Sequence, residues 1–166
     1  MHLPPLAEIS EELATFATTA RGFCDWCEGA PDPDAERTAA YWLARLYADA
    51  LHLPQVEPEN DWGIPTPPAD ALDKAKAKLA PFWGWYYREV LDPAPDLSDE
   101  PGMGDLGDDL MDTYLDLRAG LVLFDEGRAN DALWHWSFMH RNHWGQHATG
   151  ALWALHRMSI SKTTSE

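Results

Sequence analysis

Basic residues are scarce in this 166-residue chain. Twelve Lys and Arg stand against 28 Asp and Glu, only four of the twelve are lysine, and the formal net charge is −16 with histidine neutral. A surface of that sign repels phosphate backbones and anionic lipid, so direct nucleic-acid binding is not expected. Cysteine is almost absent: two thiols make no disulfide framework and suit a reducing compartment. Apolar runs stop far short of the roughly 18 residues a membrane helix needs. The opening MHLPPLAEISEE lacks a basic stretch followed by an apolar one, so a cytoplasmic protein is expected. Nine Trp, five Tyr and five Phe within a 45% hydrophobic composition leave no room for a wholly disordered chain. A chain of this length can bury about 70% of its unfolded surface in one domain.

The apolar residues recur at helical spacing. Leu6, Ile9, Leu13, Phe16, Ala20, Phe23 and Cys24 predict a helix over 5–28, with Glu8, Glu11 and Glu12 at its positive end. Asp32 and Pro33 open a second helix to about Leu53, with Trp42, Leu43, Leu46, Tyr47, Ala50 and Leu51 inward. Five prolines in 54–68 predict an extended loop pinned by Trp62 and Ile64. A third helix begins near Ala69, with Leu72 and Leu79 inward and Lys74, Lys76 and Lys78 in solvent, and Pro81 kinks or ends it. The aromatic segment 82–91 leans to helix with a short strand as the alternative, and 92–104 reads as a loop. Leu106, Leu110, Tyr114, Leu117, Leu121 and Phe124 mark a helix over 105–126. After a turn at 127–130, one last long helix carries Leu133, Trp136, His140, His143, His147, Ala151 and Leu155 on a single stripe. The expected fold is therefore all-α: one bundle of about five helices over 1–157, closed by a long antiparallel hairpin, with a frayed tail at 158–166.

Acid and imidazole coincide in that hairpin. Between Asp92 and Asp131 the sequence holds twelve Asp/Glu and two Arg. Asp109, Asp112 and Asp116 share one helix face at i, i+3, i+7, and His140, His143 and His147 repeat the spacing. Antiparallel packing sets 116 opposite 140, 112 opposite 143 and 109 opposite 147. Three uses are open. Buried imidazoles and carboxylates can satisfy each other structurally. They can converge on a metal ion such as Zn, Mn or Fe, although no Glu-x-x-His pair of the di-iron kind is present. Or the aspartates can form a solvated face. Cys24-Asp-Trp-Cys27 lies inside a helical pattern, so Cys24 is expected in the core and Cys27 at its edge, with a Cys2His2 zinc site as the remaining alternative. Trp144 is expected to shield the histidines, and Gly145 to admit a neighbouring helix.

Several segments resemble a known family. They are Asp108-Asp109-Leu110-Met111-Asp112-Thr113-Tyr114-Leu115-Asp116-Leu117 with Gly120-Leu121, and Ala132-Leu133-Trp134-His135-Trp136 leading to His143-Trp144-Gly145-Gln146-His147 and Ala151-Leu152. Phe23-Cys24 and Tyr87-Arg88-Glu89-Val90-Leu91-Asp92-Pro93 also fit. Together they look like an uncharacterised bacterial domain-of-unknown-function family of small helical proteins, most closely over 80–157. The resemblance implies that His143 and His147 belong to the shared pattern while position 140 carries other residues. The candidate metal ligands are therefore Asp109, Asp112, His143 and His147. No activity comes with the family. The sequence fits an acidic helical binding or interaction module with an unidentified protein partner, such as a basic one, and the competing class is a metal-dependent enzyme using the Asp/His site.

Overall fold

A computed structural model describes residues 10–59, 63–95 and 100–162. Helix α1, Glu11–Cys27, starts where the Ser10 hydroxyl accepts the Leu13 N–H (3.2 Å), with Glu11 and Glu12 at the positive end of the helix dipole. It buries Leu13, Phe16, Ala20, Phe23 and both cysteines. Helix α2, Ala35–Ala50, buries Ala39, Leu43, Leu46 and Ala50, but Leu51 is exposed beyond its end. Helix α3, Ala69–Leu79, runs into a 3-10 turn at Ala80–Phe82, where Pro81 cannot continue the α ladder. Lys78 is not free in solvent, because its ammonium lies 5.0 Å from the Trp26 ring centroid. Ile64 is exposed and pins nothing; Val56 packs on the core instead. The expected contributions of Leu6, Ile9 and Trp62, and the last residues of the expected tail, 163–166, lie outside the described residues.

The segment expected to lean to helix is instead a strand. β1, Tyr86–Glu89, pairs antiparallel with β2, Gly102–Asp105, with Tyr86 opposite Asp105 and Glu89 opposite Gly102. Gly84, at φ +84°, ends the 3-10 turn and starts the extended run. β2 leads directly into helix α4, Leu106–Asp125, which buries Leu106, Leu110, Tyr114, Leu117 and Leu121 against α1 and the helices that follow.

Past the turn at 126–128 the chain runs back along α4, as expected of a hairpin, but in two pieces. Helix α5, Ala129–Asn142, ends at His143, and helix α6, Trp144–Leu155, starts immediately after it. Both pack on α4, and α6 also covers α2. A π-helical turn, His156–Ile160, then brings Ile160 onto the core. Among the described residues the architecture is all-α apart from the two-stranded ribbon: six α-helices around Phe16, Phe23, Leu43, Leu110, Trp136 and Trp144. Among the described residues no helix is long and apolar enough to cross a membrane.

Candidate metal centre

The ribbon and α4 are locked together by one carboxylate. Asp105 ends β2 and caps α4: its Oδ1 accepts the N–H groups of Gly107 (2.9 Å) and Asp108 (3.4 Å), and its Oδ2 accepts that of Gly84 (3.2 Å). Strand alternation turns Tyr87 and Glu89 toward α6 and leaves Tyr86 and Arg88 outside. The Tyr87 ring fits only because two glycines flank it. A Cβ at Gly104 would stand 2.3 Å from the ring, and one at Gly150 would stand 2.4 Å from the hydroxyl. In this slot the Tyr87 hydroxyl donates to Asp109 Oδ2 at 2.5 Å. Burial and this bond push the phenol's pKa upward, so it stays a donor.

His143 makes the other half of the site possible. Its N–H donates to Met139 O (2.8 Å), closing α5, and its carbonyl accepts the N–H groups of Gln146 and His147, opening α6. Its backbone, at φ −148° and ψ −83°, belongs to neither helix. The break folds α6 back so closely that a Cβ at Gly145 would lie 2.0 Å from His140 O. Gly145 therefore admits the last turn of α5, the helix that precedes its own.

The rings then meet the aspartates in a fixed pattern. His143 Nδ1 lies 2.7 Å from Asp116 Oδ2, and His147 Nδ1 lies 2.7 Å from Asp109 Oδ1. A carboxylate only accepts, so both Nδ1 atoms carry hydrogen, and in the neutral rings both Nε2 atoms offer lone pairs. The Nε2 atoms of His147 and His143 lie 3.3 Å and 3.9 Å from Asp112 Oδ2. Potential ligand atoms of these three residues all fall within 4.8 Å of one another. Asp109 and Asp116 are buried behind the rings, whereas the His143 side chain remains 40% exposed and Asp112 28%. The site is thus rigid underneath and open above. The Asp109 hydrogen bond, opposed by burial and reinforced by the charges of Asp109, Asp112 and Asp108, raises the pKa of His147. Burial, followed by the charge of Asp112, raises that of Asp108.

Of the four candidate ligands, Asp112, His143 and His147 converge. Asp109 stands behind them, since His147 and Tyr87 occupy its two oxygens. The 109/147 pairing occurs as expected and Asp112 faces both rings, but Asp116 takes His143 in place of His140. The break at 143 rotates His140 off the stripe, and its ring lies between Tyr47 (4.7 Å) and Trp144 (4.8 Å). There its Nε2 is buried with no hydrogen-bond partner among the described residues, and burial lowers its pKa. Trp144 does not shield the cluster: it sits in the core, donating its indole N–H to Trp136 O (3.1 Å). Cys24 and Cys27 are both fully buried, and burial pushes both thiols well up, against the thiolate form a zinc site needs. Tyr87 and Glu89 were invisible as site residues in the sequence. Tyr-Tyr-Arg-Glu at 86–89 carries no two-residue alternation; only the aromatic, partly β-branched composition of 82–91 left a strand open, without indicating what it would face.

A protein family described as a domain of unknown function, DUF5063, matches residues 7–161, and the chain belongs to it. Its fold is similar to that in the crystal structure of protein BF1032 from Bacteroides fragilis, with a TM-score of 0.67 at 23% identity, over 89% of this chain and 95% of that one. No curated protein matches it.

Proposed function

We propose that this DUF5063 protein holds one divalent transition-metal ion on Asp112, His143 and His147 and works as a metal-dependent enzyme. One observation carries the reading. Each imidazole gives its Nδ1–H to a separate buried aspartate, which fixes the tautomer and aims the Nε2 lone pair at Asp112. Metal-bound histidines are held by outer carboxylates in this way. Ligand atoms about 2.0–2.1 Å from a tetrahedral ion lie about 3.3 Å apart, which is the His147–Asp112 separation. His143, the most exposed of the three, has about half an ångström to close. Two imidazoles and one carboxylate suit Zn, Mn or Fe, and three ligands leave positions for water and substrate. The ion would supply Lewis acidity at that open face.

The interaction-module reading rests on the acidic helical composition, and it gives no reason for two oriented imidazoles to share an open carboxylate. Metal analysis of protein made without a histidine tag tests the proposal. About one equivalent of Zn, Mn or Fe is expected, lost in His147→Ala and in Asp112→Asn. Asp109→Asn is expected to keep the site but weaken the metal about 10- to 100-fold, since only the orienting carboxylate changes. Well-folded protein that takes up none of the three metals in calorimetry would leave a purely structural carboxylate–histidine network.

A further inference from the structure

Beside this centre lies a groove of about 470 Å³ between β1 and α6, lined by Tyr87, Glu89, Val90, Leu91, Gly150 and Trp153 among others. It belongs to the same structural unit as the proposed metal ligands. Tyr87 forms part of its wall and supports His147 through Asp109, while Gln146 and Thr149, which flank His147 on α6, line its other side. We propose that this groove is the substrate channel of the centre and that it takes a small organic ammonium compound with an apolar body.

Three observations specify that chemistry. First, the Glu89 carboxylate is half-buried in the groove, with Oε1 3.4 Å from where a Gly150 Cβ would be, and it has no hydrogen bond or ion pair among the described residues. A carboxylate left unpaired in a recess is a receptor for a cation. Second, the Trp153 indole is 53% exposed along the groove, with its ring centroid 6.3 Å from that of Tyr87, so it offers an aromatic face to the same cation. Val90 and Leu91, 70% and 66% exposed, supply apolar contact for the remainder of the molecule. Third, the charge of Asp109 acts on Glu89, and Asp108 and Asp112 stand beside Asp109 on α4, so an anionic ligand meets a repulsive field. Arg88 is the basic residue of the lining, exposed beside Glu89 on β1.

The inference rests on the metal reading for the word channel, and the test separates the two. Benzyltrimethylammonium, phenylacetate and benzyl alcohol are titrated by calorimetry into wild type, Glu89→Gln and Trp153→Leu, each with and without Zn. Zn stoichiometry and circular dichroism are measured on the same samples. The ammonium probe is expected to bind about tenfold more tightly than the other two, and to lose about tenfold in Glu89→Gln and several-fold in Trp153→Leu at unchanged Zn content. Its affinity is also expected to shift when Zn is removed, as a channel opening onto the centre requires. Equal or tighter binding of phenylacetate or benzyl alcohol, or an unaffected Glu89→Gln, would overturn the inference while leaving the metal site intact. Preferential ammonium binding by protein that takes up no Zn would remove the metal reading and the channel role together, leaving a cation site.

Discussion

His147 joins two charge environments. Its Nδ1–H serves the buried Asp109, and its Nε2 faces the open Asp112. Because these contacts raise its pKa in the folded protein, the unfolded chain gives up that proton first as pH rises. The stabilisation is therefore complete below the unfolded value of about 6.5 and disappears as pH climbs through the folded one. A bound metal would reverse the sign, since it requires the neutral ring, so the measurement belongs in excess chelator. Under those conditions the urea midpoint of wild type is expected to exceed that of His147→Gln clearly at about pH 5.5 and by much less at about pH 8.5. His135 contributes in the opposite sense. Burial lowers its pKa, so it weakens the fold on acidification, and it does so equally in both proteins. A gap that stays constant or widens toward alkaline pH would show that Asp109 is not holding a protonated ring.

Among the elements, the ribbon is the least independent, since two four-residue strands have little stability of their own. Its position relative to α6 depends on Tyr87 passing Gly150. Gly150→Ala places a methyl group 2.4 Å from the Tyr87 hydroxyl but 3.5 Å from the ring carbon that bears it. The substitution is therefore expected to cost about 1–3 kcal/mol in wild type and little in a Tyr87→Phe background. A double-mutant cycle by urea denaturation measures the difference, and additive effects would mean that the ribbon does not seat through this contact. Such contacts also mark the limit of what the sequence could reveal. The apolar stripes of α1 and α4 were legible because helical burial is periodic and local. The pairing of Asp109 with His147 was legible because a short turn fixes hairpin register. The helix break at His143 was not, because the apolar period continues across it and the clash that makes Gly145 necessary is with a backbone carbonyl. β1 was not either: its partner, Gly-Met-Gly-Asp, has poor strand propensity and sits at the end of a proline-rich loop. With the break hidden, His140 was placed opposite Asp116, and the true partner of Asp116 could not be seen.

At the scale of the whole molecule, a net charge of −16 is not spread evenly, and its densest part lies on the face of α4 that the histidines meet. Asp108, Asp109, Asp112 and Asp116 fall within two and a half turns, and the charge of Asp112 helps to raise the pKa of Asp108. Such crowding opposes folding unless cations relieve it. An arrangement maintained for a metal ion should therefore be costly without one. Asp112→Asn removes the open carboxylate while leaving the Asp109–His147 and Asp116–His143 bonds in place. In chelator, at a pH where the histidines are neutral, the variant is expected to be more stable than wild type by about 0.5–1 kcal/mol at low salt. The advantage should shrink toward zero near 1 M salt, where the screening length falls to about 3 Å. With metal present the order should reverse, because only wild type gains the binding energy. Thermal melts of both proteins under these three conditions test this. If Asp112→Asn is less stable than wild type in chelator at low salt, Asp112 is a structural partner of the imidazoles, and no cation is needed to explain why it stands between them.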